Sequence, residues 1–172
     1  MSFISSLIFL VVFLKGVTAG PMPDACTLLS RDEINSMLGC AVAEGTSNAH
    51  GAYCARRSSD NAIQVAVQYV DFHSPSTAAM MIKTNYDNQA KQIADGKKAV
   101  DVYGTITAFA EGGTSAYVMT GDGTGMTRSH LIRLQFVLGG YLVTFDADGL
   151  DPATVTPKLP AIYALIKKHS GL

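Results

Sequence analysis

The chain has 172 residues, with 13 Lys+Arg against 14 Asp+Glu, a formal net charge of −1, 8% aromatic residues and no Trp. So small a charge imbalance offers neither the basic surface that nucleic acid requires nor a field that would attract an anionic membrane. With 16% charged and 48% hydrophobic residues, the composition suits a single exported domain.

Phe3 to Leu14 is apolar apart from Ser5 and Ser6, and Lys15 and small residues follow, ending Val17-Thr18-Ala19. The run is about a dozen residues, short of the roughly 20 that span a bilayer. Small residues at the third and first positions before Gly20 predict cleavage after Ala19. The expectation is a signal peptide over 1–19 and one exported domain, periplasmic or extracellular, over 20–172.

After Pro21-Met22-Pro23, Asp24 opens a short turn carrying Cys26, Leu28 and Leu29. Ser30-Arg31-Asp32-Glu33 forms a capping box, with Leu29 and Ile34 placed as a hydrophobic staple and Gly39 closing the helix. Cys40 to Glu44 and Gly51 to Arg57 read as two short strands around the polar loop Gly45 to His50. Ala62 to Phe72 is a firmer strand, in which Ile63, Val65, Val67 and Tyr69 alternate with Gln64, Ala66, Gln68 and Val70. Ser74 and Pro75 start the longest helix, which should run to about Asp95 and stop at Gly96. Its core stripe is Ala78, Ala79, Ile82, Tyr86 and Ile93, while Lys83, Asp87 and Lys91 are spaced for ion pairs on the wet side.

From 97 to 128 the pattern is less regular. Val100 to Tyr103 and Thr105 to Phe109 are weak strand signals, and Ser115 to Thr120 is a stronger one. Two apolar runs, Leu131 to Leu138 and Tyr141 to Ala147, then flank Gly139-Gly140, a ready hairpin turn. That turn fixes the register. Leu138 faces Tyr141, Phe136 faces Val143, Leu134 faces Phe145 and Ile132 faces Ala147, giving one wholly apolar face. The other face sets Val137 against Leu142, Gln135 against Thr144, and Arg133 across from Asp146. In the last segment Pro157 and Pro160 argue against one uninterrupted helix from Pro152. Thr156 is the favoured cap, with Leu159, Ile162, Tyr163 and Ile166 facing inward. The order of elements predicts an α+β domain, a mainly antiparallel sheet flanked by helices.

Cys26, Cys40 and Cys54 allow one disulfide and one spare thiol in an oxidising compartment. Loop entropy does not choose, since closing 26 to 54 is worth roughly 3.5 kcal/mol and closing 40 to 54 roughly 3. Cys26 with Cys54 is favoured because it ties the first helical segment to a strand; Cys40 with Cys54, or no bridge, stays open.

The opening Cys26-Thr27-Leu28-Leu29-Ser30, followed by Glu33 and Leu38-Gly39, resembles the C-x-L-L-[ST]-x-x-E-x-x-x-x-L-G start of a domain of unknown function in small actinobacterial lipoproteins. Cys54 before an alternating strand, Gly113-Thr114-Ser115-Ala116-Tyr117, and the terminal hairpin and helix follow in that family's order. The resemblance implies a PsbP-like or LpqN-like α/β/α sandwich, exported and without known catalysis, and it supports the 26 to 54 bridge. Met22-Pro23-Asp24-Ala25 is no lipobox, so lipid attachment is not implied.

Candidate chemistry is sparse. No G-x-S-x-G elbow occurs, and Gly112-Gly113-Thr114-Ser115 reads as a turn entering a strand. His50, His73, His130 and His169 share no ligand spacing. Asp146, Asp148 and Asp151 match only part of a calcium loop, and the glycines at 112, 113, 121, 123 and 125 end in no Gly-Lys-[Ser/Thr]. No catalytic residue, metal or cofactor is therefore expected. Tyr103, Phe109, Tyr117, Met119 and Met126 concentrate in the least regular stretch, where they fill the sheet core or line an apolar groove for a ligand or partner segment. The expected function is a non-catalytic domain that binds an envelope component, an apolar small molecule or a protein partner. A structural or accessory envelope role is the alternative, and a small hydrolase a more distant one.

Overall fold

The computed structural model describes residues 20–95, 104–121 and 130–172. The expected signal peptide over 1–19, the helix stop at Gly96, the extended segment Val100 to Tyr103 and most of the 121–125 glycine stretch lie outside them. So do Tyr103 and Met126.

The chain opens with α1 (Ala25–Leu28) and α2 (Arg31–Leu38), and then enters β1 (Thr46–Ser47), β2 (Tyr53–Arg57) and β3 (Gln64–Asp71). The long helix α3 (Pro75–Ala94) crosses to β4 (Thr105–Ala108), β5 (Ala116–Gly121), β6 (Leu131–Leu138) and β7 (Tyr141–Asp148). The short α4 (Pro152–Val155) and α5 (Leu159–Ser170) complete the chain. Among the described residues seven strands form one antiparallel sheet in the order β1-β2-β3-β7-β6-β5-β4, so the expected α+β class is the observed one.

The last strand fills the gap between β3 and β6. Its register with β6 is the one the glycine turn dictates, including Arg133 opposite Asp146 and Phe136 opposite Val143. Of the turn residues, Gly139 takes a left-handed φ of +53°. Gly140 is needed for room, because a Cβ there would stand 3.0 Å from the Ser74 backbone nitrogen and 3.1 Å from the His73 carbonyl carbon. The Phe72 N–H donates to the Gly140 carbonyl at 2.9 Å, so the start of α3 is stitched to the hairpin tip.

One face of the sheet carries the main core. Ile132, Leu134 and Phe136 of β6 and Val143, Phe145 and Ala147 of β7 are buried there with Val65 and Val67, under Leu28, Leu29 and Ile34 of the first helical segment and Leu159, Ile162 and Ile166 of α5. Edge-to-face rings continue this layer, with Tyr163 at 4.9 Å from Phe136 and 5.7 Å from Phe109. On the opposite face α3 packs over β4, β6 and β7, burying Ile82 against Tyr117 and Leu142. Helices therefore cover both faces.

The local signals at the helix starts act as expected. Ser30 and Glu33 complete a reciprocal capping box, Gly39 closes α2 at φ +66°, and Ser74 caps α3 with Pro75 in its first turn. Lys83 pairs with Asp87 at 2.6 Å, while Lys91 pairs forward with Asp95 at 2.9 Å.

Two expectations need correction. Cys40 to Glu44 is not a strand: the Val42 N–H turns back to the Asn35 side chain at 2.9 Å and Val42 is buried in the core. Pairing begins later, with Thr46 opposite Ala55. The Ala43 N–H already donates to the Arg57 carbonyl of β2 at 3.0 Å, but at Gly45, where a Cβ would run into the sulfurs of Cys54 and Cys26, the chain passes against the disulfide, so this stretch borders β2 without forming a regular ladder. Thr156 is not a cap either. Asp151 accepts from the Ala153 N–H at 2.9 Å and starts α4, and Thr156–Lys158 is a 3₁₀ turn that carries the chain past Pro157 into α5.

Gly140→Ala should destabilise the domain by about 1–3 kcal/mol, because the atoms at 3.0 and 3.1 Å are backbone and not a flexible side chain; urea unfolding measures this. The Glu33 carboxyl is raised by burial but more than offset by hydrogen bonds from the Ser30 backbone and hydroxyl and by His169 and Lys168, leaving it below the usual glutamate range. Its contribution is therefore complete above that range and is lost as pH falls through the depressed value. Glu33→Gln should flatten the acid limb of stability against pH in that window.

Candidate functional site

Strand register sorts the side chains of the α3 side into rows. One row runs Tyr53, Gln68, Thr144, Gln135, Tyr117 and Ala108 across β2, β3, β7, β6, β5 and β4. The next runs Ala55, Ala66, Asp146, Arg133, Met119 and Ile106, and a third sets Arg57 against Gln64 and Asp148. In these rows the face is polar over β7 and β6, mixed over β2 and β3 and apolar over β5 and β4, and a neighbouring apolar row runs Val70, Leu142 and Val137.

The polar half is knitted together. Arg133 holds Asp146 through a bidentate pair, Nε to Oδ1 at 2.7 Å and Nη2 to Oδ2 at 3.2 Å, with the two side chains 27% and 12% exposed. A fork of this kind orients both partners, and partial burial makes it stronger than a surface pair. Gln135 Nε2 donates to Thr144 Oγ1 at 3.1 Å, and Arg57 Nε donates to Gln64 Oε1 at 2.8 Å. At the apolar end Tyr117 stacks on Tyr86 of α3, with ring centroids 4.1 Å apart.

Of the candidate apolar residues, Tyr103 and Met126 lie outside the described residues, and the other three divide between the two faces. Phe109 is buried on the main-core side against Tyr163, whereas Tyr117 and Met119 are buried on the α3 side. What the α3 side does leave exposed is Val70 at 52%, Met80 at 60% and Met81 at 37%. Val70 sits opposite Leu142, which packs with Ile82 of α3, so the Val70 side chain adjoins the first row described above.

Cys26 and Cys54 form the disulfide, tying α1 to β2. Cys40 is a half-buried free thiol whose pKa is raised by burial, against a small opposing backbone hydrogen bond, and it is a poor nucleophile. Beside the bridge, Arg56 points to the core side and is 3% exposed; its Nη2 donates to the Cys26 carbonyl at 2.9 Å and its Nε has no hydrogen-bond partner. Burial lowers its pKa, with Glu44 and Glu33 opposing. No solvent reaches the orphaned nitrogen, so Arg56 braces the α1 carbonyl and offers nothing to a ligand. The alternation of β2 carried the signal for it, since Tyr53, Ala55 and Arg57 face one side and Cys54 and Arg56 the other.

Among the described residues no three metal-ligating side chains gather. His73 pairs with Asp71 at 3.1 Å, and His169 reaches the Leu28 carbonyl at 3.2 Å and Glu33 at 3.6 Å. Asp146 is held by Arg133 and Asp151 by its helix start. Compared with known protein families, curated proteins and solved structures, the chain matches none.

Replacing Arg133 with Met should cost about 1–3 kcal/mol, because Asp146 is left 12% exposed without its guanidinium. Adding Asp146→Leu should recover part of that loss. A double-mutant cycle by urea denaturation checks both, and a zero coupling energy would show the pair to be passive.

Proposed function

We propose that the chain is a non-catalytic exported domain that binds an envelope component, an apolar ligand or another protein on the α3 side of its sheet. The observation that carries this reading is the exposure of Val70 beside a row of polar side chains already fixed by one another, with Met80 and Met81 also exposed on α3. Preformed, mutually bonded groups suit recognition, since little entropy is lost when a partner arrives. Loose apolar methionines suit an adaptable contact.

Export is part of the same proposal. The short apolar N-terminal run, the Val17-Thr18-Ala19 ending and the Cys26–Cys54 bridge support it, because such a bridge persists in oxidising compartments. Among the described residues no helix is long and apolar enough to cross a membrane. Kinship with the PsbP-like or LpqN-like exported domains is proposed on the same footing, supported by the capped α2, the bridge and the order of elements.

Native mass spectrometry of protein purified from its own host tests the binding reading. A retained small molecule or protein partner is expected, and self-association alone would favour a structural or accessory role. Val70→Lys with Met80→Lys should abolish retention while changing stability by less than about 0.5 kcal/mol, as both side chains face solvent. Retention unchanged in the double variant would remove this surface from consideration.

A further inference from the structure

We infer that the Cys26–Cys54 bridge is a redox-responsive site opened by a dithiol reductant, with Arg56 positioned to hold Cys54 as a thiolate once the bond is broken. The inference stands apart from the α3-side surface, because Cys54 and Arg56 lie opposite Val67 and Val65 on the main-core face of the sheet.

The guanidinium lies beside the sulfurs. Cys54 and Arg56 are alternate residues of β2 and both are buried, so their side chains leave the same face of the strand. The close passage of Gly45 brackets the separation: the position its Cβ would occupy is 2.9 Å from Cys26 Sγ and 3.2 Å from Arg56 Cζ, and closer still to Cys54 Sγ. Neither sulfur is therefore more than 6.1 Å from Arg56 Cζ, the sum of those two distances.

What marks the site is a buried charge with no counter-charge bonded to it. Arg56 is 3% exposed, yet its Nη2 is spent on the neutral Cys26 carbonyl and its Nε has no partner. The carboxylates that act on it, Glu44 and Glu33, are engaged elsewhere, the first with Arg31 at 3.0 Å and the second with Ser30 and His169. A guanidinium stays protonated, and burying one unpaired is costly. The disulfide, being neutral, does nothing to offset that cost. A thiolate at this range would supply the missing counter-charge, so the reduced form gains an interaction that the oxidised form lacks, and the bridge becomes easier to reduce. A bridge kept only as a cross-link has no use for the cation, since any neutral donor would satisfy the Cys26 carbonyl.

Burial also sets the direction of the exchange. Cys26 is half-buried and Cys54 fully buried, so the reductant's thiolate attacks Cys26 Sγ. The S–S bond breaks, and its electron pair leaves on Cys54 Sγ beside Arg56. The donor's second sulfur then attacks its own partner in the mixed disulfide, and Cys26 departs with that second thiol's proton. Two electrons pass to the protein and the donor becomes a disulfide. The proton of the attacking thiol goes to solvent, because Cys54 stays ionised.

The test uses the Cys40→Ser chain, so that only the bridge titrates, equilibrated in buffers of reduced and oxidised glutathione at neutral pH. Alkylation and mass spectrometry read the reduced fraction. An opposite charge within about 4–6 Å shifts an ionisation tenfold or more. Arg56→Met should accordingly move the equilibrium at least tenfold toward the disulfide, about 30 mV for this two-electron couple. Reduced Cys40→Ser protein should show the ultraviolet absorbance of one thiolate at neutral pH, lost in Arg56→Met and in urea. Brief glutathione treatment, quenched with acid, should leave the adduct on Cys26. An equilibrium unmoved by Arg56→Met, or an adduct on Cys54, would overturn the inference. Should Arg56→Met fail to fold, the Cys40→Ser protein decides alone: a reduced form with no more thiolate absorbance than its urea-unfolded chain overturns it.

Discussion

The pairing of β7 with β3 on one side and β6 on the other is the constraint on which the rest depends. Before β7 is added, the chain is two separate antiparallel units, β1-β2-β3 and β4-β5-β6, joined through α3. A strand slip of one residue in β7 would move Val143, Phe145 and Ala147 out of the main core and carry Asp146 away from Arg133. Apolar burial, the ion pair and the Gly139-Gly140 turn all specify the same register, and agreement of that kind separates one fold from its near alternatives.

Because β7 is central, it transmits the division between faces to the whole sheet. The main-core face is apolar almost throughout, and it alone receives α1, α2, α4 and α5. The α3 face has a single long helix over one part and an organised polar strip over another. Unequal cover follows from sequence economy: only Ala78 and Ile82 of α3 are fully buried, too narrow a stripe to enclose seven strands.

Much of this was legible in the residues. Gly139-Gly140 and the alternation around them gave the central hairpin with its register, Ser30 and Glu33 gave α2, and Ser74-Pro75 gave α3, because each of these is a local rule read over a few positions. What escaped depended on contacts distant in sequence. Cys40 to Glu44 has a strand-like composition, yet the Gly45 approach to the disulfide and the Asn35 hydrogen bond override it. Thr156 is an acceptable cap, but Asp151 stands earlier and Pro152 suits the first turn. Phe109 and Tyr117 share a stretch of sequence, but strand alternation and the turns at Ala110–Ser115 send them to opposite sides of the sheet. The polar row across β2, β3, β7 and β6 needed the full strand order, which no local pattern contains.

The Cys26–Cys54 bridge has a consequence for how the molecule comes apart. It joins α1 to the second strand from one margin of the sheet, Gly45 lies against the sulfurs, and Arg56 clasps the Cys26 carbonyl beside them. Helix, bridge and marginal strands therefore share one fate. In a reducing milieu this corner would loosen as a block, and the inner ladders of β3, β7, β6 and β5 would outlast it, so the covalent link sets the sequence of melting as well as its midpoint.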